Sequence, residues 1–107
     1  MQQMTAPELA EWLADGGRPQ PVLLDVREQW EYETCHIDAA LLIPMNSIPA
    51  RQQELDPDAA IVCICHHGAR SFQVAAFLER QGFSNVTNLT GGIDAWARQV
   101  DSAMATY

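Results

Sequence analysis

The segment from Ala60 to Gln81 limits the choice of fold more than any other part of this chain. Ala60-Ile61-Val62-Cys63-Ile64 is an unbroken apolar run, the pattern of a strand buried on both faces. It stops at Cys65-His66-His67-Gly68, and a helix with one apolar face follows at once. That helix is expected from about Ala69 to Gln81, with Phe72, Ala75, Ala76 and Leu78 inward and Gly82 as its C-terminal cap. A strand, a tight loop and a helix in this order form one βα unit of a parallel sheet covered by helices.

The same alternation runs through the rest of the chain. Thr5-Ala6-Pro7-Glu8 is a capping box that opens a helix with the stripe Leu9, Trp12 and Leu13, closed by Gly16-Gly17. Val22-Leu23-Leu24-Asp25-Val26 reads as a second doubly buried strand. Shorter signals suggest a helix from Glu28 to Glu33, a strand at Leu41-Leu42-Ile43 stopped by Pro44, and a helix from Ser47 to Leu55 with Pro49 in its first turn. Asn85 to Leu89 gives a further strand, and Gly91-Gly92 lead into a last helix carrying Ile93 and Trp96. The expectation is an α/β fold with right-handed crossovers and a site at the carboxyl ends of the strands, where both Cys65 and Asp25 fall. The 107 residues suffice for one domain, over residues 1–100, with 101–107 expected as a loosely held tail.

Charge and composition exclude several functions. A formal charge of −8 with only six basic residues argues against non-specific binding to nucleic acid or to anionic membranes. No leader-like or membrane-spanning apolar run is visible, so a cytoplasmic protein is the expectation. Three cysteines without framework spacing fit reduced thiols better than a disulfide scaffold. Trp12, Trp30 and Trp96 sit on separate elements and read as packing or rim residues, and Gly91-Gly92 do not match a dinucleotide fingerprint.

Chemistry concentrates at Cys65. Loop N–H groups and the start of a helix are expected to favour its thiolate, and the same donors would cradle an anion or a second sulfur atom on Sγ. Arg70 and Ser71 add donors at the rim, and His66 and His67 either supply partial positive charge or are solvated loop residues. The alternative for Cys65 is an inert, buried strand-end thiol. A zinc reading of Cys63, Cys65, His66 and His67 is disfavoured, because the two cysteines are expected to lie on opposite sheet faces and no second ligand pair follows at a recognised spacing; Cys63 is taken as core. Cys35 beside His36 is either a nucleophile or a resolving thiol for Cys65 or, preferably, a surface cysteine without consequence. Asp25 and Arg27, two apart near a strand end, read either as an ion pair that fixes nearby loops or as the polar edge of the sheet, and are expected to support the site structurally rather than to take part in catalysis.

With these residues in place the chain resembles the rhodanese family, from the first helix to Trp96. The carriers are Leu24-Asp25-Val26-Arg27, Glu31-Tyr32, His36-Ile37, Ile43-Pro44, Cys65-His66-His67-Gly68-Ala69-Arg70-Ser71, Gly82-Phe83, Gly91-Gly92 and Ala95-Trp96. The resemblance implies a mostly parallel five-stranded sheet flanked by helices on both faces. It also implies a sulfurtransferase site in which Cys65 carries a persulfide and residues 66–71 bind the substrate. A donor such as thiosulfate and an acceptor such as cyanide, a small thiol or a protein thiol are the implied partners; no cofactor and no metal are implied. The loop from Cys65 to Arg70 has the six residues of rhodaneses, one fewer than in the related dual-specificity phosphatases, so phosphatase or arsenate reductase activity is the lesser reading. A persulfide-carrying or redox-sensing binding module is the alternative of a different class. The chain departs from the family pattern at Cys35, where Gly or Ala is usual, and at Asp38-Ala39-Ala40, where Pro-Gly is common.

Overall fold

A computed structural model describes residues 1–107. Five strands form one sheet: β1 (Gln2–Met4), β2 (Val22–Asp25), β3 (Leu41–Leu42), β4 (Ile61–Ile64) and β5 (Val86–Leu89). Their order is β1-β5-β4-β2-β3 and every pairing is parallel, so the sheet is parallel throughout rather than mostly so. β1 has no apolar pattern of its own. It is a strand because Gln2, Gln3 and Met4 pair with Thr87, Asn88 and Leu89 at the sheet edge.

The helices are α1 (Ala6–Ala14), α2 (Gln29–Thr34), α3 (Ile48–Arg51), α4 (Ala69–Arg80) and α5 (Gly92–Gln99). Thr5 and Glu8 form the expected capping box of α1. α4 ends as expected: Gly82 N–H bonds Glu79 O and Phe83 N–H returns to Leu78 O, each at 3.0 Å. The helix expected from Ser47 to Leu55 is instead a broken path of 3₁₀ turns at Met45–Ser47 and Gln52–Glu54 on either side of the four-residue α3.

Two apolar layers enclose the sheet. Leu9, Trp12, Ile93 and Trp96 from α1 and α5 pack on Leu23, Val62, Ile64 and Leu89. On the other face Ile48, Val74, Ala75 and Leu78 from α3 and α4 pack on Leu24, Ile61, Cys63 and Val86. The buried positions of α4 are Ser71, Val74, Ala75 and Leu78, which corrects two expected core residues: Phe72 is 45% exposed and Ala76 is only half-buried. Helical geometry explains the difference, since Leu78 shares its face with Val74 and Ala75 at spacings of four and three, and with Ser71 one turn earlier. No helix is long and apolar enough to cross a membrane.

Candidate active site

From β2 the chain crosses through α2 to β3 on one side, whereas from β4 it crosses through α4 to β5 on the other. The two connections diverge between β2 and β4, and that divergence opens a crevice at the carboxyl ends of these strands. Asp25 closes β2 opposite Ile64, the last residue of β4, so Asp25, Arg27 and Cys65 emerge side by side. The loop after β4 is anchored to α5: Ile93 N–H bonds Cys65 O at 2.9 Å and Asp94 N–H bonds His66 O at 3.0 Å. Gly92 makes this approach possible. It has φ +58, and a Cβ there would lie 2.5 Å from His66 O and closer still to Cys65 O.

The Cys65 thiol is 1% exposed and has two hydrogen-bond partners. Gly68, at φ +111, turns its N–H toward Sγ at 3.0 Å, and Ser71 Oγ lies at 3.2 Å. The Ser71 hydroxyl donates to Asn88 Oδ1 at 2.5 Å, while Asn88 Nδ2 bonds Gln3 Oε1 at 3.0 Å and Gly68 O at 3.3 Å. Because the hydroxyl has one proton and gives it to Asn88, the thiol proton makes the Cys65–Ser71 contact; an ionised Sγ would draw the hydroxyl proton to itself. The first-turn amides of α4, those of Ala69, Arg70 and Ser71, have no intrahelical acceptor and are the donors left for a charged group on Sγ.

Arg70 does not point freely into solvent. Its two terminal nitrogens bond both carboxylate oxygens of Glu31, at 2.8 and 2.9 Å. Glu31 also receives Glu28 N–H at 2.8 Å and the Tyr107 hydroxyl at 2.9 Å. The Arg70 guanidinium, opposed by burial and assisted by Glu28 N–H and Tyr107, holds the Glu31 carboxyl down at about 2. Pairing with Glu31 in turn raises Arg70.

Arg27 is fully buried and Asp25 nearly so. Arg27 Nη2 bonds Asp25 Oδ2 and Cys35 O, both at 2.7 Å, and Nε bonds Asp25 Oδ1 at 2.9 Å. Its remaining nitrogen, Nη1, reaches the Tyr107 hydroxyl at 2.9 Å and Glu31 O at 3.3 Å. Burial works against this charge, but the bonds to Asp25 and Tyr107 outweigh it and hold Arg27 protonated.

His66 is partly buried and stacks on the Tyr107 ring, with centroids 4.1 Å apart; burial first, then the neighbouring His67, holds its imidazole below the ordinary range. His67 is exposed. One ligand atom each from His66, His67 and Asp94 lies within 4.8 Å of the others, but Asp94 already bonds Arg98 at 3.0 Å. The largest groove, about 690 Å³ and lined by residues including Leu13, Ile37 and Trp96, contains none of the loop residues.

Three expectations change. Cys63 and Cys65 are two apart on an extended chain, so they share a sheet face instead of opposing each other. Cys63 is nonetheless core, its thiol pushed up to about 12 by burial and then by the charge of Cys65. Cys35 is buried rather than superficial, because its carbonyl and Sγ lie against Arg27. The segment 101–107 does not hang loosely: Tyr107 docks on Arg27, Glu31 and His66. Ala39 stands at φ +70, the turn conformation that a glycine takes without strain.

Asn88 and Tyr107 complete the site, although neither was singled out from the sequence. Asn88 had a signal, an amide next to Thr87 in a strand bounded by Val86 and Leu89, which burial makes expensive unless it has partners. Tyr107 had none. Glu31 entered only as one letter of the family pattern.

Comparison with known proteins agrees with this architecture. The family model described as rhodanese-like domain matches residues 5–99. A sulfurtransferase from Allochromatium vinosum is 41% identical over 96 residues, covering 90% of this chain and 88% of its own. The thiosulfate sulfurtransferase GlpE of Pseudomonas syringae is 38% identical over 90 residues, covering 84% and 82%. The crystal structure of a rhodanese-like domain protein from Staphylococcus aureus superposes with a TM-score of 0.83 at 32% identity, covering 90% of this chain and 91% of the other. A parallel sheet with its cysteine loop at the carboxyl end of a central strand, matched by sequence over nearly its whole length, makes this chain a member of the rhodanese-like domain family.

Proposed function

We propose that the chain is a sulfurtransferase that carries sulfane sulfur on Cys65. The observation that carries this reading is the placement of Sγ, 3.0 Å from Gly68 N–H and beside the first turn of α4, in a loop whose Arg70 is locked by Glu31. Relatives named as sulfurtransferases support it.

In the loading step the ionised Sγ attacks the outer sulfur of the donor. A new S–S bond forms, the donor's own S–S bond breaks, and its electron pair leaves on sulfite when the donor is thiosulfate. The terminal sulfur on Cys65 then carries the negative charge, facing the Gly68, Ala69, Arg70 and Ser71 amides, which stabilise it without a moving proton. Arg70 and the two histidines orient the donor. In the second step cyanide or a thiolate attacks the terminal sulfur, and Sγ leaves as the thiolate it was at the start. Asp25 and Arg27 hold the strand ends together and take no part in bond making. The small donor and acceptor are the partners in this scheme, and a protein thiol serves equally as acceptor.

The test is the intact mass of the reduced protein after incubation with thiosulfate or cysteine persulfide, beside Cys65→Ala, with cyanide added afterwards. One added sulfur that requires Cys65 and disappears with cyanide is expected. No added sulfur from either donor would overturn the reading. Loading without catalytic turnover would move the protein to the persulfide-carrier class.

A further inference from the structure

Tyr107 lies far from Cys65 in sequence yet touches three residues of the site. Its hydroxyl accepts from Arg27 Nη1 at 2.9 Å and donates to Glu31 Oε1 at 2.9 Å. Its ring stacks on His66, 17° from parallel, and meets the exposed Trp30 edge-on at 5.4 Å.

The hydroxyl completes a chain of contacts that runs from the sheet to the loop. Asp25 holds Arg27, Arg27 holds Tyr107, Tyr107 holds Glu31, and Glu31 holds Arg70. A carboxylate offers about four lone-pair positions, two on each oxygen. On Glu31 these are taken by Arg70 and Tyr107 at Oε1 and by Arg70 and Glu28 N–H at Oε2. Glu31 therefore has one orientation, and with it Arg70 has one position. The same tyrosine fixes a second loop side chain, His66, by stacking.

We propose that Tyr107 is a positioning residue of the sulfur-transfer site, acting through Glu31 and His66 to hold Arg70 and the Cys65 loop in their working arrangement. The inference rests on the sulfurtransferase reading of Cys65. Without the hydroxyl, one Glu31 lone pair is free and Arg27 Nη1 keeps only the 3.3 Å carbonyl of Glu31 and the distant Cys35 sulfur, so the Glu31–Arg70 pair gains freedom. Without the ring, His66 also loses its near-parallel stacking partner, keeps only the tilted His67 ring and becomes more exposed.

The experiment measures the single-turnover rate of Cys65 sulfur loading in the unaltered protein, Tyr107→Phe and Tyr107→Ala, with the His66 ring titrated by NMR in each. Tyr107→Phe is expected to load about three- to tenfold more slowly with His66 still titrating below the ordinary imidazole range. Tyr107→Ala should load more slowly again, with the His66 titration returned upward as burial is relieved. A role confined to stability would lower the melting temperature and leave loading at lower temperature and the His66 titration unchanged. Loading at the same rate in all three proteins would overturn this inference alone. Loading absent from the unaltered protein would overturn the sulfurtransferase reading and this inference together.

Discussion

Glu31 and Arg70, 39 residues apart in the chain, meet through two parallel N–H···O bonds of 2.8 and 2.9 Å, and this pair ties α2 to the first turn of α4 beside Cys65. The Glu31 side chain is 5% exposed and that of Arg70 33%, so solvent screens the pair from the arginine side only. The fork geometry fixes direction as well as distance, which a lysine in place of Arg70 would not reproduce.

Glu31 makes stability depend on acid in a defined window. Its carboxyl sits at about 2 in the folded state against an ordinary 4.5, so its contribution is present in full above pH ~4.5 and is lost as pH falls toward 2. The shift corresponds to about 3 kcal/mol. Glu31→Gln should lower stability at pH 7 by an amount of that order and flatten the loss between pH 5 and 2. Denaturant titrations of both proteins across that range check this, and parallel curves would assign the acid sensitivity to other groups.

Replacing Asp25 by Asn should destabilise strongly. Arg27 is fully buried, and without the carboxylate its charge would face only carbonyl groups and a neutral tyrosine hydroxyl. Removing one member of such a pair costs about 3 to 5 kcal/mol. The midpoint of chemical unfolding measures it; a loss below about 1 kcal/mol would mean that the two residues contribute little as an ion pair.

Gly92→Ala tests the contact between α5 and the cysteine loop. The added methyl would meet two backbone carbonyls that cannot turn away, at a residue whose φ is already positive. A loss of about 2 to 4 kcal/mol is expected. Sulfur loading should fall as well, because the carbonyls displaced belong to Cys65 and His66.

Ala39→Gly should go the other way. Ala39 is exposed and stands at φ +70, so glycine relieves strain while giving up some stability through the freer unfolded chain. A net gain of about 1 kcal/mol is expected. An unchanged or lower unfolding midpoint would show that the turn accommodates alanine at no cost.

The parallel sheet, the main crossover helices and the cysteine loop could be read from the chain itself because each rests on local physics. An unbroken apolar run such as Ile61–Ile64 has no stable place except a strand covered on both faces, and a helix that begins within five residues of its end must start near the loop. The Thr5–Glu8 capping box and the Gly82 cap are equally local, since every partner lies within a few residues. Tertiary structure decided the rest. β1 exists only through its register with Thr87 to Leu89, α4 rotates Phe72 to the surface because Ser71 and Val74 complete the buried face, and Cys35 is buried by an arginine eight residues away. The partners of Arg70 and Tyr107 were least legible of all. Their hydrogen bonds join residues 39 and 76 positions apart, and no local pattern encodes a contact that forms only when the carboxyl ends of β2 and β4 have been brought together.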